Sequence, residues 1–177
     1  IQTSRGCPFK CSYCVDGSEL VSKVNRFNLQ RVTEELNYIA KRVPSNIHTL
    51  GIMDLNFGMY KGDLEVCDAI VDIQNKYDYP RNISTATGKN ARAKIIEAIR
   101  KLAGTLRLTI AVQSTDKEVL KNVKRHNISE EGMMDLAPII KESGLKTRAE
   151  VILALPGDTY ETHLNTLKVL LSADIDE

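Results

Sequence analysis

Tryptophan is absent from this sequence, and aromatic residues make up only 5% of its 177 residues. Neither sign of charge dominates, because 24 Lys and Arg are balanced by 23 Asp and Glu, for a formal net charge of +1. That balance gives no electrostatic argument for a nucleic-acid partner. Long apolar runs are also missing: residues 151–155 are among the longest, and a transmembrane helix needs roughly 20. The sequence therefore predicts a globular protein that has no membrane partner.

Cysteine is scarce as well, and its distribution is uneven. Cys7, Cys11 and Cys14 lie within eight positions, whereas Cys67 is distant from them. Secreted disulfide frameworks usually spread an even number of cysteines along a small chain. The crowding instead favours metal binding in a reducing compartment, and we expect a cytoplasmic protein. Because the chain begins with Ile1 and stops just after a helical pattern, we expect a piece of a larger protein whose flanking domains are absent.

Helical and strand patterns alternate along the chain. Apolar residues at helical spacing, with capping residues, predict helices over residues 28–43, 64–76, 91–103 and 129–144, and two more that begin at Thr115 and at residues 158–161. The last of these contains Leu164, Leu167 and Leu171. Short apolar segments predict strands at residues 47–53, 82–87, 106–112 and 147–155. The alternation predicts a parallel α/β sheet, which fits either a barrel or an open doubly wound sheet.

The strand patterns favour the barrel. The two faces of the strand over residues 106–113 differ in polarity. One face carries Leu106, Leu108, Ile110 and Val112, and the other carries Arg107, Thr109, Ala111 and Gln113. In the next strand Arg148 and Glu150 likewise share one face. A polar face directed inward suits a barrel interior that binds a polar ligand, since open sheets covered on both sides are usually apolar on both faces. The alternative is an Arg–Glu pair inside a packed core.

The unusual residues all follow predicted strands. They are the cysteine loop after a strand that ends near Thr3, residues 54–62, Gln113 with Ser114, and Pro156 with Gly157. In parallel barrels the C-terminal ends of the strands form one rim, where chemistry is located. We therefore expect these segments to meet at one site.

Zinc and an iron–sulfur cluster compete for the three cysteines. A structural zinc site needs four ligands, but Cys67 lies on the apolar face of its predicted helix, and the three histidines lack ligand spacing. Three thiolates suit a four-iron cluster in which one iron remains open to a substrate or cofactor.

The cysteine motif Cys7-x3-Cys11-x2-Cys14, with Tyr13 before the last cysteine, resembles the signature of the radical S-adenosylmethionine (SAM) superfamily. Three further segments resemble the same family in the expected order, most closely members associated with a cobalamin-binding domain: residues 53–65, residues 111–125 and residues 150–159. One departure is Ala154, which stands where glycine is common. The resemblance covers nearly all of residues 1–177, which are expected to form one radical SAM core domain.

The resemblance implies a partial (βα)6 TIM-like barrel that is truncated before its sixth strand. It implies a [4Fe–4S] cluster and SAM as cofactors, with cobalamin as a candidate cofactor of an absent domain. An electron from the cluster would cleave SAM to a 5′-deoxyadenosyl radical, for cobalamin-dependent methyl transfer or another modification. The cluster ligands would be Cys7, Cys11 and Cys14. The SAM contacts would be Tyr13 near the adenine, with Asp54, Asn56, Gln113, Arg148 and Glu150.

Partners follow from the same reasoning. The resemblance implies an electron donor such as flavodoxin or ferredoxin, and a substrate that this sequence does not identify. Truncation would leave residues 147–155 as an exposed edge strand through which the fragment self-associates. Lys121, Lys124 and Arg125 form a basic cluster that we interpret as a solvated helix face rather than a contact to an anionic substrate. The competing function is a non-catalytic module that holds zinc or a cluster for structure.

Overall fold

The computed structural model describes residues 1–88, 92–102, 104–106, 108–126, 138 and 147–177. It divides into two units. The first unit comprises Ile1–Gly6 and Val24–Arg107, and the second comprises Cys7–Lys23 and Leu108–Glu177. Arg107 and, apart from Pro138, the predicted helix over residues 129–144 lie outside the described residues.

Where the structure describes it, the first unit consists of two strand pairs and three helices. Its elements are β1 (Ser4–Arg5), β2 (Asn25–Arg26), α1 (Leu29–Ala40), β3 (Thr49–Phe57), α2 (Lys61–Tyr77), β4 (Asn82–Thr87) and α3 (Arg92–Lys101). β1 pairs with β2 in an antiparallel manner, and β3 pairs with β4 in parallel, with Leu50 opposite Ile83. Both residues of that pair are buried, and α2 packs against α1 and α3. The predicted α/β organisation is confirmed in this unit.

Helix ends in the first unit follow local chemistry. Asn28 caps α1, because its side chain accepts a hydrogen bond from the Gln30 amide. Tyr60 precedes α2, where the Asp63 side chain accepts from the Tyr60 backbone amide at 2.9 Å. Gly104, predicted to stop the third helix, has a φ of 77°, a left-handed conformation that glycine adopts readily.

The described residues of the second unit form a parallel strand pair and two helices. They are β5 (Leu108–Gln113), α4 (Lys117–Asn122), β6 (Thr147–Val151) and α5 (Tyr160–Ser172). Two turns of 3₁₀ helix, Val15–Gly17 and Glu19–Val21, follow the cysteines. One face of the sheet packs through Val112 against Leu170 of α5, with Ile110, Ala149 and Val151 around them. The predicted alternation of apolar and polar faces is therefore confirmed in β6.

Several predicted bounds were wrong. β3 continues to Phe57, so Asp54 and Asn56 lie in the strand rather than in a loop after it. β6 ends at Val151, not at residue 155. Asp116, not Thr115, caps α4, because its side chain accepts from the Val119 amide.

The leucines quoted for the last predicted helix do not all lie on the buried face of α5. Leu167 and Leu171 are exposed, and the buried positions of this helix are Thr166 and Leu170. Thr166 is buried because its hydroxyl accepts the Thr115 amide at 3.0 Å and donates to the Thr162 carbonyl within the helix at 3.1 Å. Because the buried face of α5 includes the polar residue Thr166, the spacing of apolar residues does not identify which face of this helix is buried.

The strands of the described residues form three separate two-stranded sheets, and no closed barrel is present among them. In the second unit, residues at the end of the chain lie along β6: the Ala149 amide donates to the Glu177 carbonyl at 2.7 Å, and the Thr147 amide donates to the Asp176 carboxylate at 2.7 Å. Across the described ranges, none of the helices has the length and apolarity needed to cross a lipid bilayer.

Candidate metal and cofactor site

The cysteine loop is held by its own backbone. The Cys7 amide donates to the Val21 carbonyl at 2.9 Å, and the Cys14 amide donates to the Cys11 carbonyl at 3.1 Å. The Gly17 amide then donates to the Cys14 carbonyl at 3.0 Å. These bonds close successive turns around the three cysteines, so their side chains project from a fixed path.

Gly17 is required by the same packing. A Cβ atom at this position would overlap the Cys11 carbonyl oxygen, which is backbone and cannot move aside cheaply. Cys7 and Cys11 are buried, and Cys14 is half-buried. The loop thus forms a close-packed cradle whose least covered thiol is that of Cys14.

The three thiols of the loop are of the donor type that holds iron–sulfur clusters. All four cysteines are described, and none forms a disulfide. Within the part of the chain that the structure describes, no three His, Cys, Asp or Glu side chains are gathered so as to hold one metal ion. A four-iron cluster takes its thiolates on different irons, so three thiols would leave one iron open to another ligand.

A turn of the chain after α4 directs the Arg125 side chain into the interior of the second unit. The Arg125 amide donates to the Leu120 carbonyl, and the Lys124 amide donates to the Lys121 carbonyl. This bond pair, with Lys124 at a φ of 52°, is the Schellman arrangement that ends many helices. Lys124 remains exposed, and the next residue, Arg125, is buried.

Arg125 contacts the cysteine loop directly. One terminal nitrogen lies 2.7 Å from the Tyr13 hydroxyl and 3.8 Å from the Cys11 sulfur. The other donates to the Ala111 carbonyl of β5. The interpretation of Arg125 as part of a solvated face was wrong, although Lys121 and Lys124 are exposed as expected. The sequence carried no such signal, because Lys124 occupies the left-handed position where a glycine would have marked the helix end.

Tyr13 lies between this cation and an apolar cluster. Its ring packs against Val119, Val123 and Leu155. Burial raises the pKa of Tyr13 to about 12, although the Arg125 charge opposes that shift. The phenol is therefore protonated at neutral pH, and its oxygen accepts from Arg125. Contact with an adenine remains a prediction.

The end of β5 is distorted where Gln113 was predicted to bind SAM. Gln113 has a φ of 67°, and the Ser114 amide donates to the Val112 carbonyl across it at 2.8 Å. The β5–β6 register also shifts between Ala111 and Gln113. A left-handed conformation costs a non-glycine residue roughly 1–2 kcal/mol, and such strain is concentrated at functional sites.

Arg148 and Glu150 are exposed on one face of β6. In the parallel register Arg148 is opposite Thr109, and Glu150 is opposite Ala111. The alternative of an Arg–Glu pair in a packed core is wrong, because both side chains are exposed. This face of the β5–β6 sheet is polar, whereas the opposite face packs against α5.

Asp54 and Asn56 belong to the first unit, where both are buried. The Asp54 carboxylate accepts the Thr3 amide at 2.7 Å, and also the hydroxyls of Thr3 at 2.5 Å and Ser4 at 2.8 Å. These bonds explain its burial without any ligand. The SAM contacts predicted for both residues remain predictions.

Cys67 differs from the other cysteines in its environment. It is fully buried on α2, and burial raises the pKa of its thiol to about 12, with the Asp63 and Asp68 carboxylates adding to the shift. Because metal ligation requires a thiolate, this environment agrees with the interpretation of Cys67 as a small core residue.

Comparison with protein families identifies the class. The model of the Radical SAM superfamily matches residues 1–170. The chain belongs to this superfamily, whose enzymes use a [4Fe–4S] cluster and SAM. The family resemblance and the enzyme prediction are thereby confirmed.

Its relatives include two methyltransferases, one of which is named as cobalamin-dependent. The cobalamin-dependent radical SAM methyltransferase TokK of Streptomyces tokunonensis is 30% identical over 178 residues, covering 97% of this chain and 25% of that protein. The 2-(S-pantetheinyl)-carbapenam-3-carboxylate methyltransferase of Streptantibioticus cattleyicolor is also 30% identical, and that match covers 97% of this chain and 25% of the relative. The chain thus spans 25% of the length of these two curated relatives.

Solved structures support the fold. The radical SAM methyltransferase TsrM of Kitasatospora setae, determined with cobalamin and a [4Fe–4S] cluster bound, superposes with a TM-score of 0.79 at 18% identity. That match covers 99% of this chain and 34% of TsrM. At this identity the similarity shows the radical SAM α/β fold alone.

Proposed function

We propose that this chain is the cluster- and SAM-binding part of a cobalamin-dependent radical SAM methyltransferase. The observation that carries the proposal is the cysteine loop: three thiols on a backbone closed by its own hydrogen bonds, in a chain of this superfamily. The methyl-transfer assignment is supported by the two relatives at 30% identity, both named as methyltransferases.

In this proposal Cys7, Cys11 and Cys14 hold the cluster. When bound, a reduced [4Fe–4S] cluster supplies the electron that cleaves the sulfonium C–S bond of SAM, giving methionine and a 5′-deoxyadenosyl radical. The residues of the chain position these groups and limit access of water. Burial of Cys7 and Cys11 supports the second role.

The SAM site would use the polar face of the β5–β6 sheet. Arg148 and Glu150 are exposed there, so ligand binding requires no disruption of a core. Gln113 would contribute from the strained end of β5. Tyr13 belongs to the same unit, and SAM contacts from Asp54 and Asn56 of the first unit are proposed on the family resemblance alone.

The partial (βα)6 barrel is also a proposal. Parallel pairing within each unit supports it, as does a parallel bridge in the first unit between Ile83 of β4 and Leu106. A flavodoxin or ferredoxin as electron donor, the cytoplasmic location and a cobalamin domain elsewhere in the protein are proposals that rest on the family alone.

Anaerobic reconstitution of the full chain tests the function. We expect about four iron and four sulfide per chain, together with SAM binding by calorimetric titration. Replacing Cys7, Cys11 or Cys14 with alanine should abolish stable cluster loading. Cys67→Ala is the matched control, because it removes a buried thiol of the same kind without changing the loop.

Two outcomes would contradict the proposal. One tightly held zinc per chain without SAM binding would indicate a structural metal module instead. Full cluster content in Cys11→Ala would exclude the assigned ligand set.

A further inference from the structure

A buried cation lies beside the cysteine loop. Arg125 is 4% exposed, although taking a guanidinium out of water is costly. Its charge lies 3.8 Å from the sulfur of Cys11, which is itself buried. The helix ending already described accounts for the direction of the chain at this point. The helix ending does not explain why the buried residue is a cation, since an apolar side chain would fill the core at a lower cost in free energy.

The position of this charge is fixed rather than mobile. The planar guanidinium forms hydrogen bonds on two sides, to Tyr13 of the loop and to the Ala111 carbonyl of β5. Both contacts are within the second unit. Arginine suits this geometry because its donors form a rigid fork, whereas a lysine ammonium is a point charge on a flexible stem.

We propose that Arg125 is a positioning residue for the cluster: it holds Cys11 and Tyr13 against the end of β5, and its charge favours one-electron reduction of the cluster bound there. The inference rests on the proposed function, because it requires a cluster on Cys7, Cys11 and Cys14.

The physical reason is charge balance. Reduction adds one electron, and therefore one negative charge, to a cluster that already bears three thiolate ligands. A positive charge close to one of those sulfurs in a site of low dielectric stabilises the reduced state more than the oxidised state. Net charge and hydrogen bonds to the sulfurs are among the main determinants of cluster potential. The electron itself comes from an external low-potential one-electron donor, for which dithionite serves in the test.

The test is a dithionite potentiometric titration of the reconstituted full chain, followed by the electron paramagnetic resonance signal of the reduced cluster. Arg125→Gln removes the positive charge. Arg125→Lys keeps the charge but lacks the planar, forked arrangement of guanidinium donors. Lys124→Gln is the matched control, since it makes the same charge change at the adjacent, exposed position. Circular dichroism verifies folding of each variant.

For Arg125→Gln we expect the ratio of reduced to oxidised cluster at a fixed potential to fall at least about tenfold, which corresponds to about 59 mV for one electron. Arg125→Lys should give a smaller negative shift, and Lys124→Gln none. Equal potentials in Arg125→Gln and wild type would overturn the proposal.

The remaining outcomes are also decisive. A folded Arg125→Gln that loads no cluster supports the holding role. If Arg125→Gln does not fold or does not load a cluster, Arg125→Met, a second neutral variant, replaces it, and a potential equal to wild type in that variant overturns the electronic role. Failure of the wild-type chain to load a cluster refutes the proposed function, and this inference with it. Unchanged potentials refute the inference alone.

Discussion

Each of the two units buries a charged side chain that attaches a loop or terminal segment to a parallel strand. In the first unit, the Asp54 carboxylate of β3 accepts hydrogen bonds from Thr3 and Ser4. In the second unit, the Arg125 guanidinium attaches the cysteine loop to β5. The two groups have opposite charge but a similar mechanical role.

The difference lies in what the attached segment contains. Asp54 is bonded to one amide and two hydroxyls, groups without redox or ligand chemistry of their own, and they satisfy its charge. Arg125 contacts the sulfur of a proposed cluster ligand. A buried charge is therefore insufficient evidence of a functional site, and the chemistry of its partners decides which interpretation applies. These contacts give Asp54 a structural role in addition to its proposed SAM contact, and they give Arg125 a role at the proposed cluster.

The largest effect on stability is expected for Asp54→Ala. The Thr3 amide is buried and would lose its acceptor, and an unsatisfied buried group costs about 1–3 kcal/mol. With two hydroxyl bonds lost as well, we expect a total loss of about 3 kcal/mol, measured by urea denaturation. Asp54→Asn retains part of the hydrogen bonding and should lose less.

Asp72→Ala is the control for this comparison. Asp72 is exposed on α2, and its removal should change stability by no more than about 0.5 kcal/mol. If Asp54→Ala were as stable as this control but bound SAM tenfold more weakly, Asp54 would be a ligand contact rather than an anchor.

Much of this architecture was accessible from sequence because local signals determine it. The bounds of β4 were predicted correctly at Asn82–Thr87, and Asn28 was identified as a cap. The cysteine spacing, through the family resemblance that it carries, indicated the ligand set that the proposal uses. These features depend on periodicity, capping and spacing within a short stretch of chain.

The errors occurred where a polar residue is satisfied by a partner distant in sequence. β3 was ended before Asp54 because a carboxylate breaks an apolar pattern, yet its donors are 50 and 51 positions away. Arg125 was assigned to solvent for the same reason, since its contact with Cys11 spans 114 positions. Single-sequence patterns contain no information on such pairings.

An intermediate effect is expected for Glu150→Ala, and it tests the exposed face rather than the buried charges. Glu150 is exposed on β6, so stability should change by no more than about 0.5 kcal/mol. If Glu150 contacts SAM, the dissociation constant should rise about tenfold, or about 1.4 kcal/mol, in calorimetric titration of the reconstituted chain. Glu65→Ala, an exposed substitution on α2, should leave affinity unchanged. Equal affinity in both variants would remove Glu150 from the proposed site.

The smallest effect concerns backbone strain in the second unit. Ala154, which stands where glycine is common in the family, has a φ of 60°. This conformation costs alanine roughly 1–2 kcal/mol, while glycine adds about 0.5–1 kcal/mol of unfolded-state entropy. Ala154→Gly should therefore stabilise the chain by about 0.5 kcal/mol, raising Tm by about 1–2 °C. Ala86→Gly, an exposed position in β4 of the first unit, should instead lose about 0.5–1 kcal/mol, because ordinary strand geometry gives glycine no advantage. Thermal denaturation of both variants measures the difference, and a loss of the same size in each would show that Ala154 is unstrained.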